Sequence, residues 1–335
     1  MNKTKTTDFT IAVLDGALAS SVAITLDALT AASRLSAIRG GPALCWRIIG
    51  TAVHTQLSSG LSIGAAPLTA RTRGDDSILL IPGVAITANP GATYDPVTLA
   101  TRMAERDATL LTQFVAKHHQ RGGVVAAGCS AVYLLGQAGL LEQRSATTHW
   151  RLGSFMQQSF PACVIDTNRI MIEDNRVITA GAALAQMDLM IYLIRKKLGA
   201  QIAELTMKYL LLDNRFSQAG YMIWSHLPAV DSTIQDIESM VEASLPEVPS
   251  LRTIAERLAV SEKTLARRVR QATGKSSQDL LQSIRWRHAK RLLETTRLSL
   301  EDVAAQVGYA DATALRKLTR KIVGTSPGRL RHSAW

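Results

Sequence analysis

Cysteine is scarce in this chain, and the three present, Cys45, Cys129 and Cys163, are odd in number and widely spaced. That excludes a disulfide framework and lacks the ligand spacing of a zinc site. His118 and His119 do not repair the deficit. Adjacent residues at a helix end point to different faces and no third ligand is evident, so no metal is expected. Glycine patterns of the Walker or dinucleotide type are missing too, and no cofactor is expected. Gly122-Gly123 reads instead as a helix stop before a strand. Although 47% of the residues are apolar, the longest uncharged stretches are broken by Gly, Pro, Ser and Thr. None is the uniformly apolar run of about 20 residues that a spanning helix needs. The first eight residues, Met1 to Asp8, carry cations but lead into a short strand-like segment rather than a secretory apolar core. Cytoplasmic placement with no membrane partner is the expectation. Coiled-coil heptads are also absent.

The net charge of +11 has one address. From Leu251 onward 18 Lys and Arg face 7 Asp and Glu, whereas residues 1–250 hold 20 of each sign. A neutral body with a basic tail points to a phosphate-binding module. A membrane surface would attract the same cations, but the tail's apolar residues fall in stripes used by helix packing and leave no wide Trp/Phe/Leu face for lipid. Within the tail one pattern occurs twice. Ser250, Leu251, Ile254, Ala255 and Leu258 recur as Ser299, Leu300, Val303, Ala304 and Val307 at an offset of 49. Beyond the turn the offset is 50, pairing Leu265 with Leu315, Gly274 with Gly324 and Ser276 with Ser326. A repeat with helical apolar spacing, one residue longer in its second turn, describes two helix-turn-helix units.

At 335 residues the chain suits two domains. The body alternates strand and helix signals. Strands are expected at Thr10–Asp15, Ala43–Ala52, Ser77–Gly83 and Gly123–Cys129, with extended segments around an Asp-Asn-Arg turn within Val164–Thr179. Helices are expected at about 17–38, 95–119 and 182–197, and one from Gln201 to Asp213 leading outward. That order predicts an α/β N-terminal domain with a largely parallel, flavodoxin-like sheet over residues 8–215. A linker at 216–249, holding Pro228, Pro246, Pro249 and one short helix near Thr233–Ala243, leads to an all-α C-terminal domain at 250–335 with the two helix-turn-helix units. Arg195-Lys196-Lys197 reads as a helix C-terminal cluster favourable to the dipole.

Three segments carry a family resemblance. They are Gly139-Leu-Leu-Glu-Gln-Arg-Ser-Ala-Thr-Thr-His-Trp150, Ile178-Thr-Ala-Gly-Ala-Ala-Leu-Ala-Gln-Met-Asp188, and the paired motifs that end Gly324-Thr-Ser-Pro-Gly-Arg-Leu-Arg331. The C-terminal part resembles the AraC/XylS family of transcription regulators. Residues 9 to about 215 resemble the PfpI-like, class I glutamine-amidotransferase-like domain fused to it in the GlxA-type subgroup. The resemblance implies a homodimeric regulator whose N-terminal domain senses a small-molecule effector, and whose C-terminal domain binds double-stranded promoter DNA and meets RNA polymerase if it activates. Small amino-acid-like or amine metabolites are the effectors it implies.

In a helix-turn-helix unit the second helix enters the major groove. With Ser261 and Asp311 as N-caps, the outward residues are Lys263 and Arg267 in the first unit and Thr313, Arg316 and Lys317 in the second, the candidates for DNA contact. They match the family's reading positions. Leu258, Leu265, Val269, Val307, Leu315 and Leu318 should pack the units together, and Gln278–Thr296 reads as a rod joining them. Thr319 stands where the family usually places a large aromatic, so a looser second unit is expected.

Cys129 falls where a strand gives way to a helix N-terminus, an arrangement that lowers a thiol pKa and can hold an oxyanion, with His149 as a potential base. The triad is incomplete. Where hydrolytic relatives carry a glutamate, five after Gly16, this chain has Ser21, and Asp15 is the remaining carboxylate near the same edge. No catalytic residue is assigned and a non-enzyme is expected. The alternative is a cysteine-dependent amidase or hydratase-like enzyme carrying a DNA-binding tail. A ligand pocket is expected at the carboxyl ends of the strands, around Gly83, Val84, Cys129, Ser130 and His149, where the loop after Leu80-Ile-Pro-Gly offers backbone donors for a carboxylate.

Overall fold

The computed structural model describes residues 7–69, 76–85, 96–212, 215, 217, 218, 222, 232–323 and 326–328. Pro228, Gly324 and the closing Arg329-Leu-Arg331 of the sequence motif lie outside these. Chain contacts divide the protein into two compact units, Met1–Asn214 and Arg215–Trp335.

The first unit runs β1 (Phe9–Val13), α1 (Ala19–Ile38), β2 (Trp46–Gly50), β3 (His54–Gln56), β4 (Ser62–Gly64), β5 (Ala66–Pro67), β6 (Ile78–Ile81), α2 (Pro96–Met103), α3 (Arg106–Gln120), β7 (Val124–Gly128), α4 (Val132–Gln137), β8 (Ser145–Ala146), α5 (Gly153–Ser159), β9 (Val164–Ile165), β10 (Met171–Asp174), β11 (Val177–Ala180), α6 (Ala185–Leu198) and α7 (Ala200–Tyr209). One sheet orders its strands β10-β11-β7-β6-β1-β2-β5. All of its pairings are parallel except β10 with β11, a hairpin turned by Asn175 and Arg176, both at positive φ.

Both faces of the sheet are buried, as parallel sheets require, so its strands are apolar on successive residues and not only on alternate ones. Alternation instead assigns each side chain a face. Ala12, Leu79, Ile81, Val125 and Ala127 join a core with Leu111, Val115 and Leu134 from α3 and α4. Ile11, Val13, Leu80, Ala126 and Ile178 join another with Leu29, Leu189 and Ile194 from α1 and α6. By length and mean hydropathy, 1.2, α1 is sufficient to cross a membrane, contrary to the sequence reading. It nevertheless buries Val22, Ala28, Leu29 and Ala32 in that second core.

Two sequence expectations change here. The single helix expected over 95–119 is two, because Glu105 is extended at φ −66°, ψ 160°, and the Arg102 guanidinium spans the break to the Asp107 carboxylate. The helix expected to lead outward after Gln201 does not do so. α7 packs back on α1 and α6, burying Ile202, Ala203 and Thr206.

The second unit contains α8 (Thr233–Ser244), α9 (Leu251–Arg257), α10 (Glu262–Thr273), α11 (Ser277–Thr295), α12 (Leu300–Gln306) and α13 (Ala312–Val323). The turn between α9 and α10 is 258–261 and that between α12 and α13 is 307–311, which accounts for the extra residue of the second repeat. Serine caps recur at the helix starts. Ser250, Ser261, Ser276 and Ser299 each accept from the amide three residues on, and Ser299 with Asp302 completes a capping box. The short helix expected within 216–249 is α8. It packs on α10 and α11 through Ile234, Ile237 and Val241, and Arg287 of α11 pairs with its Glu238 and Glu242. That part of the connecting region therefore belongs to the second unit.

Candidate functional site

Four of the expected pocket residues of the first unit, Gly83, Val84, Cys129 and Ser130, converge where β6 and β7 end, and His149 follows Thr148, which bonds to Cys129. Cys129 follows β7 directly and begins a single 3-10 turn, Cys129–Ala131, with φ at +55°. A left-handed conformation at a non-glycine residue is strained and persists only where the surroundings hold it. Its amide donates to the Gly181 carbonyl at 2.9 Å, and its carbonyl accepts from Thr148 Oγ1 at 2.7 Å. Gly83 lies so close that a Cβ there would sit 2.8 Å from the Cys129 Cβ, which accounts for glycine after Ile81-Pro82. The neighbouring pair is closed: Ser130 Oγ accepts from the Val84 amide at 2.8 Å and donates to the Val84 carbonyl at 2.6 Å.

This environment opposes an activated thiol. Burial pushes the Cys129 thiol up to about 11, outweighing the hydrogen bonds from Ser130 that favour the thiolate. Desolvation, with Arg151 adding to it, pulls His149 down to about 4. Its Nδ1 accepts from the Arg151 amide at 3.1 Å and so caps the short turn Trp150–Leu152. The expectation that the turn lowers the thiol pKa is therefore reversed, because desolvation of the anion exceeds what the short helix supplies. The two other polar groups near this edge are also committed. Asp15 Oδ1 accepts from the Gln56 amide at 3.0 Å, and Ser21 is buried with its hydroxyl toward the Ala183 carbonyl at 3.4 Å. The loop after Pro82 does not offer free amides at Val84 and Ala85: the first donates to Ser130 and the second to the Gly16 carbonyl.

Sequence reasoning overlooked Gln186. It is buried beside Gly128, donates from Nε2 to Thr25 Oγ1 at 2.9 Å, and among the described residues its Oε1 accepts no hydrogen bond. A polar residue in the otherwise small and apolar run Gly181 to Met187 was the available signal.

The second unit presents the other site. Leu265 and Val269 of α10 are buried, whereas Lys263 and Arg267 on the opposite side are exposed. In α13, Leu315, Leu318 and Ile322 are buried while Thr313, Arg316 and Lys317 are exposed. Both expected caps form. Ser261 accepts from the Thr264 amide at 3.1 Å and Asp311 Oδ1 from the Ala314 amide at 2.9 Å. The amides of Ala314 and Thr313 hold the Asp311 carboxyl below its ordinary value. Arg267 reaches Gln271 at 3.2 Å and Arg316 reaches Glu301 at 3.5 Å, both single contacts at the surface. Leu258, expected in the packing, is only half-buried.

Two family patterns match this chain: that of a helix-turn-helix domain over residues 254–333 and that of the DJ-1/PfpI family over 99–196. The HTH-type transcriptional regulator GlxA of Rhizobium meliloti is 27% identical over 285 residues, 82% of this chain and 80% of that protein. The regulator GbdR of Pseudomonas aeruginosa is 26% identical over 68% of this chain and 61% of its own length. A crystal structure of an AraC-family transcriptional regulator from Pseudomonas putida aligns with a TM-score of 0.50 at 17% identity, covering 61% of this chain and all of that one. The chain is thus similar over most of its length to an HTH-type transcriptional regulator of the GlxA type, and it matches both a helix-turn-helix domain and the DJ-1/PfpI family.

In the second helix-turn-helix the seam expected at Thr319 is closed. Thr319 is fully buried and its hydroxyl donates to the Leu315 carbonyl at 2.7 Å. A small residue there is accommodated because the side chain satisfies its own polar group within the helix, and the second unit packs around it with Leu315 and Leu318 also buried.

Proposed function

We propose that the protein is an effector-responsive regulator that reads promoter DNA with two recognition helices. α10 contributes Lys263 and Arg267, and α13 contributes Thr313, Arg316 and Lys317. The observation that carries this reading is the coincidence of charge and exposure: the whole net charge lies beyond residue 250, and all five side chains are exposed on helices whose opposite faces are buried. The rod expected between the units is α11, whose Leu280, Ile284, Trp286, Ala289 and Leu293 are buried. In a rigid arrangement one chain addresses successive major-groove faces about 34 Å apart. A homodimer then addresses two such sites, and contact with RNA polymerase follows if the regulator activates. Selection of bound sequences from random duplexes, followed by footprinting, tests the reading. Two protected patches one helical turn apart are expected, and a single patch refutes it.

The effector site of this reading is the region at the carboxyl ends of β6 and β7, around Gly83, Val84, Cys129, Ser130 and His149. There the Ser130–Val84 pair ties the loop after β6 to the turn after β7. A small amino-acid-like or amine metabolite is the proposed ligand. A chemical step is not part of the proposal, because a thiol near 11 and a histidine near 4 are both un-ionised at neutral pH. A ligand that binds only the folded state raises apparent stability, so a thermal-shift panel of amino acids and betaines reports it. Turnover of a small amide that Cys129→Ala abolishes would reinstate the enzyme reading.

A further inference from the structure

Two reading helices address one operator only if their separation is fixed. Arg285 sits on α11 with its guanidinium turned into the second unit. Its Nε donates to the Val307 carbonyl at 2.8 Å, its Nη2 donates to the Gly308 carbonyl, and its Cζ lies 3.5 Å from the centroid of the Tyr309 ring. Val307, Gly308 and Tyr309 are the turn between α12 and α13. The carbonyls at a helix C-terminus lack intrahelical donors, and a planar cation with a fixed fork of N–H groups satisfies two of them while stacking on an aromatic face. Among the described residues no carboxylate pairs with Arg285, so its hydrogen bonds go to this turn alone. The other side of the turn is closed as well. Gly308 has φ +77° and approaches Pro246 so closely that a Cβ would collide with its carbonyl oxygen. The extra residue that distinguishes the second turn from the first thus lies in a segment gripped by α11 and by the stretch after α8.

We propose that Arg285 is a positioning residue for DNA recognition: by gripping the second turn it sets the spacing at which Arg316 and Lys317 meet DNA relative to Lys263 and Arg267. The proposal rests on the two-helix reading above. It places Arg285 apart from the exposed cations, since it acts through the turn and does not touch DNA.

The test uses the full chain and three duplexes built from the selected operator: the native arrangement, one with a base pair inserted between the two half-sites, and one with the second half-site scrambled. The wild type should discriminate against the insertion. Arg285→Ala should lose about tenfold or more in affinity for the native duplex and bind the inserted and native duplexes alike. Its affinity for the duplex with only the first half-site should be unchanged, which also reports that the first helix-turn-helix is folded. Arg285→Lys keeps the charge without the fork and should lose the spacing preference too. A lysine variant with wild-type behaviour, or either variant with the wild-type spacing ratio, overturns the proposal. If the wild type itself ignores spacing, the two-helix reading falls and the proposal with it. If Arg316→Ala weakens binding only when the second half-site is intact while the Arg285 variants keep the spacing ratio, the reading stands and the positioning role alone is overturned.

Discussion

Ser130 and Val84 hold one another by two hydrogen bonds, the hydroxyl accepting from the amide and donating to the carbonyl of the same residue. The contact ties the loop after β6 to the turn after β7 and keeps Gly83 against Cys129. Ser130→Ala removes both bonds and leaves a buried amide and carbonyl unsatisfied. A loss of about 1–3 kcal/mol is expected in urea unfolding of the first unit. A change within a few tenths would show that water replaces the hydroxyl.

The raised pKa of Cys129 predicts a slow thiol. At neutral pH Cys45, which is partly exposed, should react first with an alkylating reagent, with the buried Cys129 and Cys163 following far behind. The Cys129 rate should climb with pH toward about 11. Peptide mapping after timed alkylation measures this, and rapid labelling of Cys129 at neutral pH would restore the activated thiolate.

His149 makes a pH prediction of fixed sign. Its folded pKa lies near 4 against an ordinary 6.5, so between those values the unfolded chain binds more protons and stability falls as the solution is acidified. The stabilisation is fully present above about 6.5 and amounts to roughly 3 kcal/mol if the whole shift is realised. It is lost as the pH falls toward about 4. His149→Asn keeps an acceptor for the Arg151 amide and should flatten this part of the stability profile. Equal acid sensitivity in both proteins would assign the effect elsewhere.

On the DNA side, Arg267→Ala and Arg316→Ala should each weaken specific binding by about 1–3 kcal/mol at fixed salt. Neither side chain is buried, so unfolding midpoints should barely move. Titration of the selected operator separates the outcomes: unchanged affinity removes the residue from the interface.

Thr319 provides a packing test. If the site were loose, Thr319→Phe would fill it and stabilise the second unit. Because the side chain is already fully buried, the larger ring should instead destabilise by about 1–3 kcal/mol through overpacking. Thermal unfolding of the variant reads the sign directly.

Much of this architecture is legible in the sequence because it rests on local signals. Ser261 and Asp311 mark helix starts since a short oxygen-bearing side chain satisfies an orphan amide wherever it stands before an apolar-periodic run. The offset change between the repeats locates the longer second turn without any coordinates. The break between α2 and α3 is not legible, because the two helices continue one apolar pattern and only the conformation of Glu105 separates them. Gln186 and Arg285 escape for another reason: what defines each is a partner distant in the chain, Gly128 or Thr25 for one and Val307 to Tyr309 for the other.

The amino-acid sequence by itself determined the two-domain order, the alternating body and the basic duplicated tail, since periodicity, capping and charge are properties of near neighbours. Only the tertiary structure decided what Cys129 and Arg285 are. A cysteine after a strand can be thiolate or thiol, and desolvation by residues from several strands and helices pushed this one up. An arginine on an amphipathic rod can face DNA or protein, and a turn more than twenty residues away, with two carbonyls and an aromatic ring, turned this one inward.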